Sequence, residues 1–249
     1  MKKLKHILIV GSSLILLVII FLLLVLTGSV QLNGLNSKKH QVFGVDVSAY
    51  QGEIDWQTLA KQNITFAFVK ATEGSSFVDK NFAFNFENAQ KTGLVVGAYH
   101  FFSYDSSGQT QAQNFINTVK AFDGMLPPVV DVEFYADKEK NPPSRKEVEC
   151  ELKTMLDILE AHYRQKPIIY ATEKSYKMFI SGDYNEYDIW IRNVISKPKL
   201  SDGRVWTFWQ WTNRKKLKGY SGKEKYIDVN VFNGSREEFN AYMCNNAYK

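Results

Sequence analysis

The chain has 249 residues, 45 % of them hydrophobic and 23 % charged, with 31 Lys plus Arg against 26 Asp plus Glu. That is ordinary globular composition and excludes a disordered polyelectrolyte. The cationic excess lies in the first 40 residues, where Lys2, Lys3, Lys5, Lys38 and Lys39 meet no acid. The remainder is neutral and lacks the broad basic surplus expected when nucleic acid is the main partner.

The basic cluster at 1–6 precedes an uncharged run at 7–26, interrupted only by Gly11, Ser12 and Ser13 and long enough to span a bilayer. By the positive-inside rule the lysines stay cytoplasmic and everything after the run lies outside. A cleavable signal would have a shorter apolar core of about 7 to 15 residues followed by small residues. The one candidate here is Leu26-Thr27-Gly28-Ser29. The expectation is thus a transmembrane anchor with the following domain extracytoplasmic, or secreted if the leader is cleaved. Residues 27–40 are polar and read as a flexible tether of about 20 Å. The domain at 41–249 holds both cysteines, Cys150 and Cys244, and either a bridge or two buried thiols fits their exported setting.

Eight short apolar, β-branched or aromatic runs follow, at 42–47, 65–70, 94–101, 129–134, 168–171, 188–192, 205–211 and 226–232. Several are continuous, as in strands covered on both faces. Helices are expected between the first six. They start at Asp55, span 81–92 with Gly93 at the stop, span 109–122, open on a capping box of Ser144 with Glu147 and run to 164, and span 173–180. After the sixth strand the helices cease until one following Ser235. Five βα units and three loop-connected strands predict an irregular (β/α)5β3 TIM-like barrel behind the N-terminal segment, since eight strands is the number that closes. Such barrels build their site at one face, from the strand ends.

At those ends stand Asp46; Lys70 with Glu73; Tyr99 and His100; Asp131 and Glu133; Tyr170; Trp190 with Arg192; Trp209, Gln210 and Trp211; and Asp228. Residues i and i+2 of a strand share a face, so Asp131 and Glu133 point into one mouth about 6 to 7 Å apart along the backbone. Asp46 and Asp228, on the first and last strands, become neighbours on closure. Four crowded carboxylates raise the pKa of at least one, which supplies a protonated acid. Glycosidic cleavage needs that acid and a second group to stabilise charge on the sugar. Trp and Tyr suit sugar faces, and Gln, Asn and Asp suit hydroxyls and amides. Lys70 divides evenly between holding substrate and neutralising the acids. His100 reads as an orienting residue, not a base. Strict alternation keeps Trp209 and Trp211 off the face that Gln210 occupies.

Gly44-Val45-Asp46-Val47-Ser48, Tyr50-Gln51-Gly52, Asp55-Trp56 and Phe68-Val69-Lys70-Ala71-Thr72-Glu73-Gly74 resemble the opening of the family 25 glycoside hydrolases, the Chalaropsis-type lysozymes. Gly97-Ala98-Tyr99-His100-Phe101, Asp131-Val132-Glu133, Ile169-Tyr170, Trp190-Ile191, Trp209-Gln210-Trp211 and Asp228-Val229-Asn230-Val231-Phe232 follow in the family's order over residues 43–239. The resemblance implies an N-acetylmuramidase cutting the β-1,4 bond after N-acetylmuramic acid in peptidoglycan. Carried over, Glu133 is the general acid, Asp131 its neighbouring carboxylate, and Asp46 and Asp228 the further acids. Lys70, Glu73, Tyr99, Tyr170, Trp190, Arg192, Trp209 and Gln210 would hold substrate. Arg192 departs from the family, which often has a small residue there. No cofactor or metal ion is expected, and the partners are glycan strands and the membrane, with the chain a monomer. Competing readings are a metal-dependent phosphoesterase, since four acids resemble a two-metal site, and a catalytically silent glycan-binding module.

Overall fold

The computed structural model describes residues 2–26, 30 and 33–249. The apolar runs become β1 (Phe43–Val47), β2 (Phe66–Glu73), a two-residue β3 (Phe77–Val78), β4 (Val95–Phe101), β5 (Val129–Val132), β6 (Ile168–Thr172), β7 (Ile189–Arg192), β8 (Phe208–Lys215) and β9 (Ile227–Phe232). All but β3 close into one barrel in the order β1-β9-β8-β7-β6-β5-β4-β2, with β2 returning to β1. The first seven barrel strands are parallel; β9 is antiparallel to both neighbours because a hairpin from β8 turns the chain straight back. No run announced β3, an exposed pair that folds back on the end of β2.

The five expected helical connections are present after α1 (Lys2–Leu26) and α2 (Gly34–Ser37): α3 (Trp56–Ala60), α4 (Phe82–Gln90), α5 (Gly108–Thr118), α6 (Arg145–Tyr163) and α7 (Glu173–Ser175), the last continued by a π turn at Tyr176–Ile180. Local chemistry sets their starts. The Asp55 carboxylate accepts from Thr58 N at 3.1 Å, and Ser144 and Glu147 cap α6 reciprocally. Several boundaries differ from expectation. α5 stops at Thr118 rather than 122 because Val119 takes extended backbone and is buried in the core. β5 ends at Val132, so Glu133 is the first residue beyond the strand.

Alternation sorts the side chains. Val45, Ala67, Val69, Val130, Val132, Ile169, Ala171, Ile189 and Ile191 belong to the outer core under the helices. Phe66, Phe68, Val129, Ile168, Trp190, Phe208 and Phe232 fill the barrel, each such large apolar side chain contributing roughly 1.5–3 kcal/mol on full burial. Phe68 stacks on Trp190 at 4.7 Å. The rings fit because inward positions opposite them are glycines: a Cβ on Gly44 would lie 2.3 Å from the Phe66 ring, and one on Gly97 2.8 Å from Phe68. Phe239 of α8 (Arg236–Asn246) packs at 5.8 Å on Phe66 and 5.2 Å on Phe232 and plugs one end of the barrel. The other end stays open.

Beyond β7 the outer wall has no helix of its own, which leaves Trp206, Trp209 and Trp211 to be covered. Part of the segment expected as a flexible tether covers them instead. His40 packs at 5.6 Å on Trp206 and 6.1 Å on Trp209. Buried Asn33 donates to the carbonyls of Asn193 and Trp211 at 2.9 and 3.2 Å. The candidate cleavage residues Thr27 to Ser29 lie outside the described residues. In α1 the stretch described with all its side chains is 9–25, and among fully described residues no helix is long and apolar enough to cross a membrane. Cys150 and Cys244 are exposed free thiols, neither bridged nor buried.

Candidate active site

The open end is a cleft of about 700 Å³ lined by the last inward residues of the barrel strands, in the size range of small-molecule sites. Asp46 and Asp228 are directly paired across β1 and β9. Since β9 runs backwards, Asp228 reaches the mouth from the start of its strand. Asp131 and Glu133 share the inward face of β5 and its continuation, and all four acids line the cleft.

A buried amide network orients two of them. Tyr170 donates its hydroxyl to Gln210 Oε1 at 3.1 Å, which turns Gln210 Nε2 toward Asp46 (3.0 and 3.1 Å) and Asp228 (3.1 Å). Trp190 Nε1 donates to Asn230 Oδ1 at 2.8 Å, and Asn230 Nδ2 donates to Asp46 Oδ1 at 2.7 Å. The aromatic floor thus sets both amides, and the amides set the acids. Asn230 is a site residue that the sequence reading passed over; its i+2 spacing from Asp228 was the available signal.

Burial raises the pKa of every member of the cluster. For Asp228 it acts with the neighbouring Asp46 charge and carries the carboxyl well above its ordinary value. Asp46 rises less far, because the bonds from Asn230 and Gln210 oppose burial. Asp131 is pushed well up by burial and then by the Glu133 charge, with Lys70 opposing. Glu133 is raised by burial against the pull of Arg192. Such a cluster holds protons that isolated surface carboxyls release. Asp131 lines the cleft, while its Oδ1 is buried without a hydrogen-bond partner inside the protein.

The remaining expected residues divide. Tyr99, Lys70 and Arg192 line the cleft. Lys70 lies 4.8 Å from the Phe101 ring and pairs with Glu73 at 2.7 Å, and it opposes the pKa rise of both Asp131 and Glu133. Tyr170, Trp190 and Gln210 face the cleft but are at most 5 % exposed, so they position the acids more than they meet substrate. Two expectations fail. Glu73 is not on the cleft wall; it holds Lys70 from the side. Trp209 points outward with 0 % exposure and donates Nε1 to Asn193 O at 2.8 Å, since alternation gives the inward position to Gln210. His100 also faces outward, bonded to Thr72 at 2.7 Å and Gln111 at 3.1 Å. Burial lowers its pKa to about 4 and keeps it neutral. Tyr50, Phe101, Phe134, Thr172, Lys174 and Tyr226 also line the cleft; Tyr50 and Phe101 fall within the quoted motifs, while the other four carried no distinguishing pattern. Among the described residues no three of His, Cys, Asp or Glu are placed to hold a metal ion.

Comparison with known proteins agrees with this architecture. Residues 45–220 match the family described as Glycosyl hydrolases family 25. The chain is 37 % identical over 209 residues to the protein YegX of Escherichia coli (strain K12), covering 82 % of this chain and 74 % of that one. It is 31 % identical over 225 residues to lysozyme M1 of Streptomyces globisporus, covering 83 % and 72 %. The solved structure of a family 25 glycosyl hydrolase from Bacillus anthracis is 59 % identical, with a TM-score of 0.78 over 82 % of this chain and 94 % of that one.

Proposed function

The chain belongs to glycosyl hydrolase family 25 and is a peptidoglycan hydrolase of the lysozyme type, and on that premise we propose that it is an N-acetylmuramidase in which Glu133 protonates the leaving oxygen of the β-1,4 bond. The observation that carries this reading is the pair Asp131 and Glu133 on one inward face of a sugar-sized cleft, both with raised affinity for protons. A general acid must hold its proton at working pH yet stand beside the bond to be broken; burial of Glu133 favours its protonated form, and its place on the cleft wall supports the second requirement. Asp131, Asp46 and Asp228 then serve the positive charge that develops on the sugar ring or its substituent. Purified peptidoglycan digested with the protein is expected to yield new reducing ends identified by mass spectrometry as N-acetylmuramic acid. New N-acetylglucosamine ends, or none, would refute the assignment, and none would favour a silent glycan-binding module.

We further propose that the N-terminal segment anchors the enzyme with its barrel on the outer side of the membrane. Support comes from the uncharged run at 7–26 behind three lysines and from the exposed apolar side chains of α1, such as Ile15 at 63 % and Leu17 at 63 %, which need a nonaqueous environment. Full-length protein should stay in the membrane fraction through a carbonate wash. A soluble exported form beginning near Ser29 or Val30 would show a cleaved signal instead.

A further inference from the structure

Residues 212–225, which turn β8 into β9, carry Arg214, Lys215, Lys216, Lys218, Lys223 and Lys225 against one acid, Glu224. Because the chain beyond residue 40 is neutral, this net charge of +5 is matched by −5 spread over the rest of the domain. Positive charge is concentrated along this stretch, with Glu53 and Asp55 the exposed acids next to it in the fold, and a locally cationic surface steers an anionic partner.

The backbone beneath the charges is held firmly. Asp55 N donates to Gly219 O at 2.7 Å, Gly222 N to Gln51 O at 3.0 Å and Glu224 N to Tyr50 O at 3.0 Å. Gln62 makes two further bonds of 2.8 Å to the backbone of Lys218. The approach is close enough to require glycine: a Cβ on Gly219, at φ +104, would lie 2.7 Å from the Asp55 carbonyl oxygen, and one on Gly222 2.2 Å from that of Tyr50. Lys216, Lys218, Lys223 and Lys225 project from this strap into solvent, and no ion pair among the described residues engages them.

The same strap forms part of the cleft wall through Asn213 and Glu224, and Tyr226 just beyond it continues that wall. Lys216 and Lys225 lie 5.7 and 5.9 Å from the Tyr226 ring, so the cations begin where the cleft ends. Its apolar residues Leu217 and Tyr220 are half-buried against the core, which leaves no large apolar side chain to enter a bilayer. The surface fits a hydrated polyanion that continues outward from whatever occupies the cleft.

We propose that the β8–β9 strap binds a phosphodiester polymer attached to the glycan, and so draws the enzyme to strands that bear it. The peptidoglycan reading supplies the location of this partner; the binding itself is measured without hydrolysis. The probe is fluorescent poly(glycerol phosphate), titrated by anisotropy against the full chain in neutral detergent. The unaltered protein should bind it, more weakly as ionic strength rises from about 0.05 M to about 0.5 M. Lys216→Gln, Lys218→Gln, Lys223→Gln and Lys225→Gln combined should weaken binding roughly 10- to 100-fold. The same four positions changed to Arg should keep binding, which separates charge from folding. Equal binding by the unaltered and Gln proteins overturns the proposal. So does strap-dependent binding to phosphatidylglycerol vesicles without binding to the polymer, which would assign the surface to a bilayer. Walls stripped of phosphodiester polymer should be digested equally by the unaltered and Gln proteins. If neither digests them, the peptidoglycan reading fails, while the polymer titration still decides this one.

Discussion

Glu133→Gln should lower turnover of polymeric peptidoglycan about 10²- to 10⁴-fold, the range that a general acid contributes. The amide keeps the shape of the side chain and its place just beyond β5 but has no proton to give the leaving oxygen. Substrate binding should change little, so the loss belongs in kcat and not in KM. Leaving groups with low pKa need less protonation, and an aryl glycoside of the same sugar should recover much of the lost rate. Turnover of polymer within threefold of the unaltered enzyme would mean that the proton comes from another residue.

Asp131→Asn should slow the reaction by about 10², the effect of losing one preorganised electrostatic contact, and should also raise the melting temperature at neutral pH. The two effects have one origin. In the folded protein burial and the Glu133 charge disfavour ionised Asp131, so its folded pKa stands above the ordinary 3.8. Stability contributed by such a group is greatest below the unfolded pKa and is lost as pH rises through the folded one. Neutral Asn avoids that loss, and the gain in melting temperature should shrink as pH is lowered toward 4. The catalytic need for the carboxylate follows from the substrate. Asp131 and Glu133 line the cleft from one inward face, and we propose that both meet the scissile bond from the same side, a poor place for a direct nucleophile. The 2-acetamido group of N-acetylmuramic acid can instead attack the anomeric carbon, with the carboxylate of Asp131, Asp46 or Asp228, all on the cleft wall, orienting its N–H and stabilising its growing positive charge. This route retains configuration. Nuclear magnetic resonance of the first product should therefore show the β-anomer for both proteins. An initial α-anomer would mean inversion by a bound water, held between Glu133 and Asp46 or Asp228, and would end the substrate-assisted proposal.

Much of this molecule could be read from local pattern alone. The period of two along each strand identifies which residues face together and separates Gln210 from Trp209 and Trp211, but which of the two faces points inward is decided only by the closed barrel. Capping residues such as Asp55 and Ser144 mark helix starts because the bonds they make span three residues. The pairing of Asp131 with Glu133 is equally local. Other features depend on contacts between residues far apart in sequence. The antiparallel course of β9 decides that Asp228 enters the mouth from the start of its strand and meets Asp46. The bond from Tyr170 to Gln210 and that from Trp190 to Asn230 decide which way two amides point. Closure also turns Trp209 into a wall residue covered by His40, and turns part of an expected tether into a cover for the side of the barrel that has no helix. Pattern within a strand or helix is set by backbone geometry over a few residues, so sequence displays it. The neighbours of a side chain across the barrel are set by strand direction and register, which exist only once the sheet has closed.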